Sequence, residues 1–380
     1  MKILMQSRCD ALVINGGDTV QMLMTKKHLE QQGVFVDIST QLSPDLTGID
    51  IVHLFNITRV HETYLQIKNA KNQAKKVVLS PIYHSIDDIR NYERKNLQGF
   101  YGRLVKMIDK TDRVQLLKTF YYSFKHPAFW RAWFEQALVG YTEEQRRTVL
   151  MADYILPNSE TEMKCLVDEL FGTVKHKLNY EVVPNGIDSR GFEDDLGLIS
   201  WVRANAPEGF VFCPGRIEPR KNQISIINAL INEKIPVVFA GAPNAMHRSY
   251  FKRFVDLTKK NKAVYYLGEI SHNGVMTLNK YAHVSILASW FETTGLVGLE
   301  SGLMGCNVVI TEKGYTRDYY GDRAWYCNPE NTDSIRDAVR SALESPRGTL
   351  ALDQHIVAKG FNWQTAANKT CAVYKKLIVG

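Results

Sequence analysis

Eleven short apolar runs recur along the chain in two series, each five or six residues long and set off by polar turns or by stretches of helical periodicity. KILMQS, VFVDI, DIVHLF, KKVVLS, ADYILP and YEVVP make the first series; FVFCPG, PVVFAG, AVYYLG, HVSILA and NVVIT make the second. Apolar runs this short suit strands buried on both faces, and such strands belong in parallel sheets whose crossovers are helices. Helices are expected over 18–32 and 159–170 in the first series, and over 222–233, 271–282, 296–305 and 332–344 in the second. The predicted class is α/β, with two Rossmann-like, doubly wound domains.

A length of 380 residues exceeds what one core usually serves, in keeping with two domains. The boundary is expected in the polar, Gly- and Pro-containing stretch 188–208, giving a first domain over 1–188 and a second over 189–361. The tail FNWQTAANKTCAVYKKLIVG has a helical pattern, and a helix over about 362–380 can return to pack on the first domain.

Several classes are disfavoured. No run of about 18 apolar residues is present, and MKILMQSRCD reads as a first buried strand rather than a secretory signal. The six cysteines are scattered without CxxC or ligand spacing, so they read as reduced core thiols of a cytoplasmic protein. There is no DxD, HExxH or GxSxG, so a metal or other cofactor is not required and a hydrolase is disfavoured. The net charge of +7 suits phosphorylated ligands or anionic surfaces; nucleic acid is not expected, because no recognition motif accompanies the dispersed basic residues.

Residues 85–150 interrupt the first series. They are dense in aromatics, among them Phe120, Phe124, Trp130, Trp133 and Phe134, and hold twelve Lys or Arg against six Asp or Glu between Arg90 and Arg147. Two readings stay open: amphipathic helices lying on an anionic membrane, or an inserted subdomain whose aromatics form its own core.

The residues that can carry chemistry cluster at the carboxyl ends of apolar runs, where open α/β sheets bind ligands. Glu292 and Glu300, separated by seven residues in SWFETTGLVGLESG, flank a loop and the start of a short helix for which Thr293 and Thr294 are N-cap candidates. Amides at that helix start can hold a diphosphate, Glu300 can accept from ribose hydroxyls, and Glu292 can face a sugar; alone, the pair also reads as two solvated carboxylates. In CPGRIEPRKNQ, the Gly215 turn presents Arg216 and Lys221, cations able to stabilise a leaving diphosphate. Gly16 and Gly17 before the first helix permit close backbone approach, and His84 follows the run KKVVLS, where its ring can bond a sugar hydroxyl. PNSETE (157–162) and VPNGID (183–188) are explained as a cap and a turn.

Together, the GG loop, His84, PNSE, VPNGID, GRIEPRKN, the E-x7-E pair and the terminal FNWQ…YKKLI helix resemble the retaining nucleotide-sugar glycosyltransferases of glycosyltransferase family 4. The resemblance implies a GT-B fold, in which two Rossmann-like domains face across a cleft and a C-terminal helix returns to the N-terminal domain. It implies transfer of a sugar from a nucleoside diphosphate sugar to a hydroxyl of a glycan or lipid-linked acceptor, with retained configuration and no obligatory metal. Arg216 and Lys221 would neutralise the diphosphate, Glu300 would bind the ribose, Glu292 and His84 would contact the donor sugar, and Thr294, Gly295 and Leu296 would supply backbone contacts. The leaving phosphate would help deprotonate the acceptor, so no separate base is needed. Thr293-Thr294-Gly295 stands where many relatives have Gly-Phe-Gly. The expected setting is cell-surface polysaccharide synthesis, in the cytoplasm or peripheral on the inner face of the membrane. A GT-B epimerase or phosphorylase and a non-catalytic nucleotide-sugar-binding subunit remain as alternatives.

Overall fold

The structure, a computed structural model, describes residues 1–13, 16–96, 111–124, 129–174, 176–188, 191–206, 209–233 and 235–379. The chain divides into two compact units: Met1–Gly186 with Asn362–Gly380, and Ile187–Phe361.

In the first unit, β1 (Lys2–Gln6), β2 (Phe35–Ser39), β3 (Ile51–Phe55), β4 (Lys76–Ser80) and β5 (Tyr154–Ile155) form a parallel sheet in the order β2-β1-β3-β4-β5. Every residue of β3 is buried, as a strand covered on both faces requires. The expected sixth strand, YEVVP, does not form. Tyr180 makes an isolated bridge to Ile155, and the partner strand is only two residues long, while Pro184 has no N–H to extend a ladder.

The terminal helix Trp363–Val379 packs on the helix Gly17–Glu30. Its Tyr374 hydroxyl lies 2.6 Å from Nδ1 of His53 on β3, and Ser80 Oγ lies 2.9 Å from Nε2. Burial pushes that imidazole down to about 3, so it is a neutral core group. Gly186 is required where the chain passes Asn362, because a Cβ there would lie 2.1 Å from the Asn362 carbonyl carbon.

The second unit contains β6 (Val211–Pro214), β7 (Val237–Ala240), β8 (Val264–Tyr266), β9 (Val284–Leu287), β10 (Asn307–Thr311) and β11 (Trp325–Cys327). All pairings are parallel, in the order β11-β10-β9-β6-β7-β8. Successive connections run to one side from β6 and to the other from β9, so β6/β9 is a topological switch point; β1/β3 is its counterpart in the first unit. The loops that leave these strands are therefore where each sheet can receive a ligand. No helix among the described residues is long and apolar enough to cross a membrane, and all six cysteines are free thiols.

Candidate functional site

At the β6/β9 switch point the chain leaves β6 through Gly215, whose φ of 136° suits glycine, and runs past Arg216 and Glu218 into a short turn, Pro219–Lys221. Asn222 then adopts a left-handed conformation, φ 62°, and its amide donates to Ala288 O at 3.1 Å and Pro329 O at 2.8 Å. These bonds tie the basic loop to the end of β9. Trp290 N–H also donates to Arg220 O at 2.9 Å, closing the two loops together.

The result is a compact set of charges. Lys221 Nζ donates to Glu292 Oε1 at 2.5 Å, and Arg220 lies 3.9 Å from the other oxygen of the same carboxylate. Arg216 and Arg220 reach Glu218 at 3.7 and 3.6 Å, and Asn244 donates to Glu218 at 2.7 Å. Burial opposes ionisation of Glu292, yet Lys221 and Arg220 outweigh it and hold the carboxyl at about 2. Glu218 is likewise lowered, with burial overcome by Arg220 and Arg216. Three cations thus face two ionised carboxylates, leaving positive charge for an anion.

Glu292 is fixed by its backbone as well. Tyr315 N–H donates to Glu292 O at 2.9 Å, and Gly314, φ 86°, passes so closely that a Cβ would lie 2.0 Å from that oxygen. Beyond Thr293, half-buried, and Thr294, buried, the helix Leu296–Leu303 begins. Its N-cap is Gly295 in the left-handed region, φ 73°, so the expected capping by Thr293 or Thr294 is corrected. Glycine takes the cap because the Tyr320 hydroxyl donates to Gly295 O at 2.6 Å and, with Ile310, fills the space a side chain would need. Tyr320 titrates well above the usual phenol, first through burial and then through Glu292 and Glu300, which both lie near it.

Glu300, on that helix, accepts from His272 Nε2 at 2.9 Å. His272 starts the helix His272–Tyr281, capped by Ser271, and its bond to Glu300 raises its pKa. The second unit therefore gathers Arg216, Lys221, Glu292, Thr293, Thr294, Gly295, Leu296 and Glu300 at one sheet edge.

Gly16, Gly17 and His84 belong to the first unit. Gly16 precedes the helix Gly17–Glu30, and a Cβ on Gly16 would lie 2.5 Å from Asp18 Oδ1, whereas a Cβ on Gly17 would meet no atom beyond its own chain neighbours and helix backbone within 4 Å among the described residues. Ile14 and Asn15 of this loop lie outside the described residues. His84, half-buried, follows Ile82 at φ 47° in a segment held by two carboxylates. Tyr83 N–H donates to Glu162 at 2.7 Å, while the Tyr83 and Ser85 hydroxyls donate to Glu169 at 2.7 Å each. Glu162 also accepts from Asn158 N–H at 2.6 Å, and its own N–H donates to Ser159 Oγ at 3.1 Å. Gln21 and Asn158 exchange side-chain bonds of 2.8 and 3.2 Å. PNSETE is thus more than a cap: it braces the His84 segment and the helix after the GG loop.

Sequence reasoning missed Arg220, Glu218, Glu162 and His272. Arg220 and Glu218 lie inside the motif already singled out, and Ser159-x-x-Glu162 is a capping-box pattern that marks Glu162. His272 carries no local signal, since its partner is 28 residues away.

Residues 202–363 match the family described as Glycosyl transferases group 1. Glycogen synthase of Mycobacterium tuberculosis (strain CDC 1551 / Oshkosh) is 30% identical over 129 residues, 32% of this chain and 31% of that protein. The match thus spans about a third of the relative's length. In three dimensions the chain is similar to sucrose-phosphate synthase from Thermosynechococcus elongatus, with a TM-score of 0.73 and 14% identity over 100% of this chain and 99% of the other. The Anabaena protein HepE in complex with UDP gives a TM-score of 0.67 at 14% identity, over 99% and 100%. The chain has the GT-B fold, and its similarity to the glycosyl transferases group 1 family lies over residues 202–363, within and at the end of its second unit.

Proposed function

We propose that the protein is a retaining, metal-independent glycosyltransferase of glycosyltransferase family 4 that moves a hexosyl group from a nucleoside diphosphate sugar to a hydroxyl of a glycan or lipid-linked acceptor. The observation that carries this reading is the charge set at the β6/β9 switch point, where Lys221, Arg216 and Arg220 exceed Glu292 and Glu218 in number. A diphosphate gains negative charge as the glycosidic bond breaks, and cations already held in place by buried carboxylates stabilise that charge without reorganising. Arg216 and Lys221 take the diphosphate, with Thr294, Gly295 and Leu296 offering backbone contacts. Glu300 accepts from the ribose hydroxyls, and Glu292, between Lys221 and the sugar, orients the transferred group. Within the first unit, the backbone at Gly16 and Gly17 and the imidazole of His84, on a segment braced by Glu162, contact hydroxyls of the donor sugar.

The leaving phosphate serves as the base for the acceptor hydroxyl, so the reaction needs no cofactor. Glycogen synthase is named for a polysaccharide and another relative, of Escherichia coli, for the O-antigen chain, and we assign this chain to polysaccharide synthesis at the cell surface. That role puts the protein in the cytoplasm, peripheral to the inner face of the membrane that holds such acceptors.

The test pairs a thermal-shift screen of UDP-, GDP-, dTDP- and CMP-sugars with transfer assays on the stabilising donor. Transfer with retained configuration is expected, and Lys221→Ala and Glu300→Ala should each lose at least about a hundredfold in turnover. Near-normal transfer by both variants contradicts these roles. Conversion of the donor without an acceptor indicates an epimerase instead, and dependence on free phosphate indicates a phosphorylase.

A further inference from the structure

The helices Thr111–Ser123 and Phe129–Val139 pack on each other and, through the second, on the helix Val60–Asn72. Their amphipathicity is inverted. The side turned into the protein carries Thr119, Ser123 and Gln136, all buried, beside Val114, Phe129 and Ala132. Thr119 Oγ1 donates to Gln136 Oε1 at 2.7 Å, Gln136 Nε2 donates to the buried Glu144 at 3.0 Å, and Ser123 Oγ donates to Phe129 O at 3.0 Å. Thr119, Ser123 and Gln136 thus each find hydrogen-bond partners inside the protein.

The outer side carries the large apolar groups. Leu117, Phe120, Tyr121 and Phe124 follow one another at helical spacing from the first helix and are exposed, Phe124 by 67%. From the second helix, Phe134 and Leu138 are exposed by 59% and 87%, with Trp130 and Trp133 half-buried beside them. Phe120, Phe124, Trp130, Trp133 and Phe134 form a continuous set of ring contacts, with neighbouring centroids 5.0 to 5.9 Å apart. Each such side chain offers roughly 150–250 Å². A contiguous patch of this kind exceeds the few hundred Å² a soluble monomer usually leaves in water. Among the described aromatics of the insert, Phe129 is buried with Leu65 and Ala132 and Tyr122 packs on them, whereas Phe120, Tyr121, Phe124 and Phe134 are exposed.

The charges around the patch indicate what covers it. Arg113 is exposed on the same face as Leu117, and Arg131, 69% exposed at the start of the second helix, lies 3.6 Å from Glu135. The acids are held by partners in the protein: Asp112 accepts from Thr142 N–H and hydroxyl at 3.1 and 2.7 Å, and Glu135 accepts from Lys68 at 2.7 Å and meets Arg131 with its other oxygen. In sequence, residues 97–139 carry seven Lys or Arg against three Asp or Glu. Residues 97–110 and 125–128 of that stretch lie outside the described residues, so their contribution is one of composition alone. Aromatic side chains with cations alongside suit the boundary between lipid headgroups and acyl chains, where the ring enters the apolar layer and the cation meets anionic headgroups.

We propose that the outer face shared by the helices Thr111–Ser123 and Phe129–Val139 is a docking surface for an anionic lipid bilayer. The proposal deepens the reading given under Proposed function and rests on it only for the lipid-linked acceptor; the surface stands on its own geometry. The test uses the full chain, without donor, sedimented with phosphatidylglycerol-rich or pure phosphatidylcholine vesicles. The protein should pellet with the anionic vesicles, at least about tenfold more strongly than with neutral ones, and salt should weaken the association. Replacing exposed side chains together, Phe124→Ser, Phe134→Ser and Leu138→Gln, should lower binding at least about tenfold by withdrawing apolar surface from the bilayer, while circular dichroism is unchanged. Arg113→Gln should lower it about fivefold, the effect of one cation near such a surface, and Arg131→Gln should lower it less, because Arg131 also meets Glu135. Recovery of the native protein in the supernatant with both vesicle types overturns the proposal. So does a dimer in light scattering that the triple variant dissolves, because a second copy then covers the face. Calorimetric titration with a nucleoside diphosphate on the same preparation separates the two ideas: binding that survives in the triple variant leaves the donor reading intact whatever the vesicles show.

Discussion

The two switch points use the same kinds of residue to opposite ends. At β1/β3, Arg8 donates to Asp18 at 2.8 Å and Asp10 at 2.5 Å, while Arg59 meets Asp10 at 2.7 Å and Glu62 at 2.5 Å. Asn56 completes Asp18 at 3.0 Å, and Cys9 N–H completes Glu62 at 2.7 Å. Two cations are enclosed by three carboxylates, so this edge is closed to a further anion. At β6/β9, three cations meet two carboxylates and the balance is reversed. The matched family domain covers the second edge and not the first. A cluster of charged side chains is therefore not by itself an anion site; the sign left over after internal pairing decides.

The largest expected effect tests whether the second edge depends on its backbone fit. Gly314→Ala should destabilise the protein by about 3 kcal/mol or more, because it adds a severe clash to a left-handed backbone. Urea unfolding reads this directly, and a near-neutral result breaks the account of how Glu292 is held.

Next comes the closed edge. Glu62→Gln leaves Arg59 with Asp10 alone and should cost about 2 kcal/mol of stability. Affinity for a nucleoside diphosphate should stay within about twofold, since Glu62 belongs to internal pairing. A marked change in affinity would erase the distinction between the edges.

The smallest effect is a slope in acid. The folded pKa of Glu292 is held at about 2, below the ordinary 4.5, so its ionisation contributes stability that is full above 4.5 and lost as pH falls through 2. Glu292→Gln should therefore show a flatter dependence of unfolding free energy on pH across that window. An identical slope in both proteins indicates that the pair with Lys221 is weaker than its 2.5 Å geometry.

Much of this was legible in sequence where burial on both faces leaves one solution. HVSILA and NVVIT became β9 and β10 because every residue of those strands is buried between helices. YEVVP has a comparable apolar content, yet its fate depended on a partner strand that proved too short. The carboxyl-edge rule brought Lys221 and Glu292 to one sheet edge, but their ion pair joins residues 71 apart and depends on β6 lying beside β9. The helices Thr111–Ser123 and Phe129–Val139 show a different limit. Periodicity reveals an apolar face on a helix and not which way that face turns, and here buried Thr119, Ser123 and Gln136 turned it outward.

The most direct test of the central claim is calorimetric titration of the full chain with UDP and GDP, comparing the native protein with Arg216→Ala and Lys221→Ala. The account predicts saturable binding of at least one nucleoside diphosphate, weakened in each variant by about tenfold or more through loss of a charged hydrogen-bonding partner. Binding that is equally tight in all three proteins would place the diphosphate elsewhere and contradict the claim that the surplus cations at β6/β9 receive it.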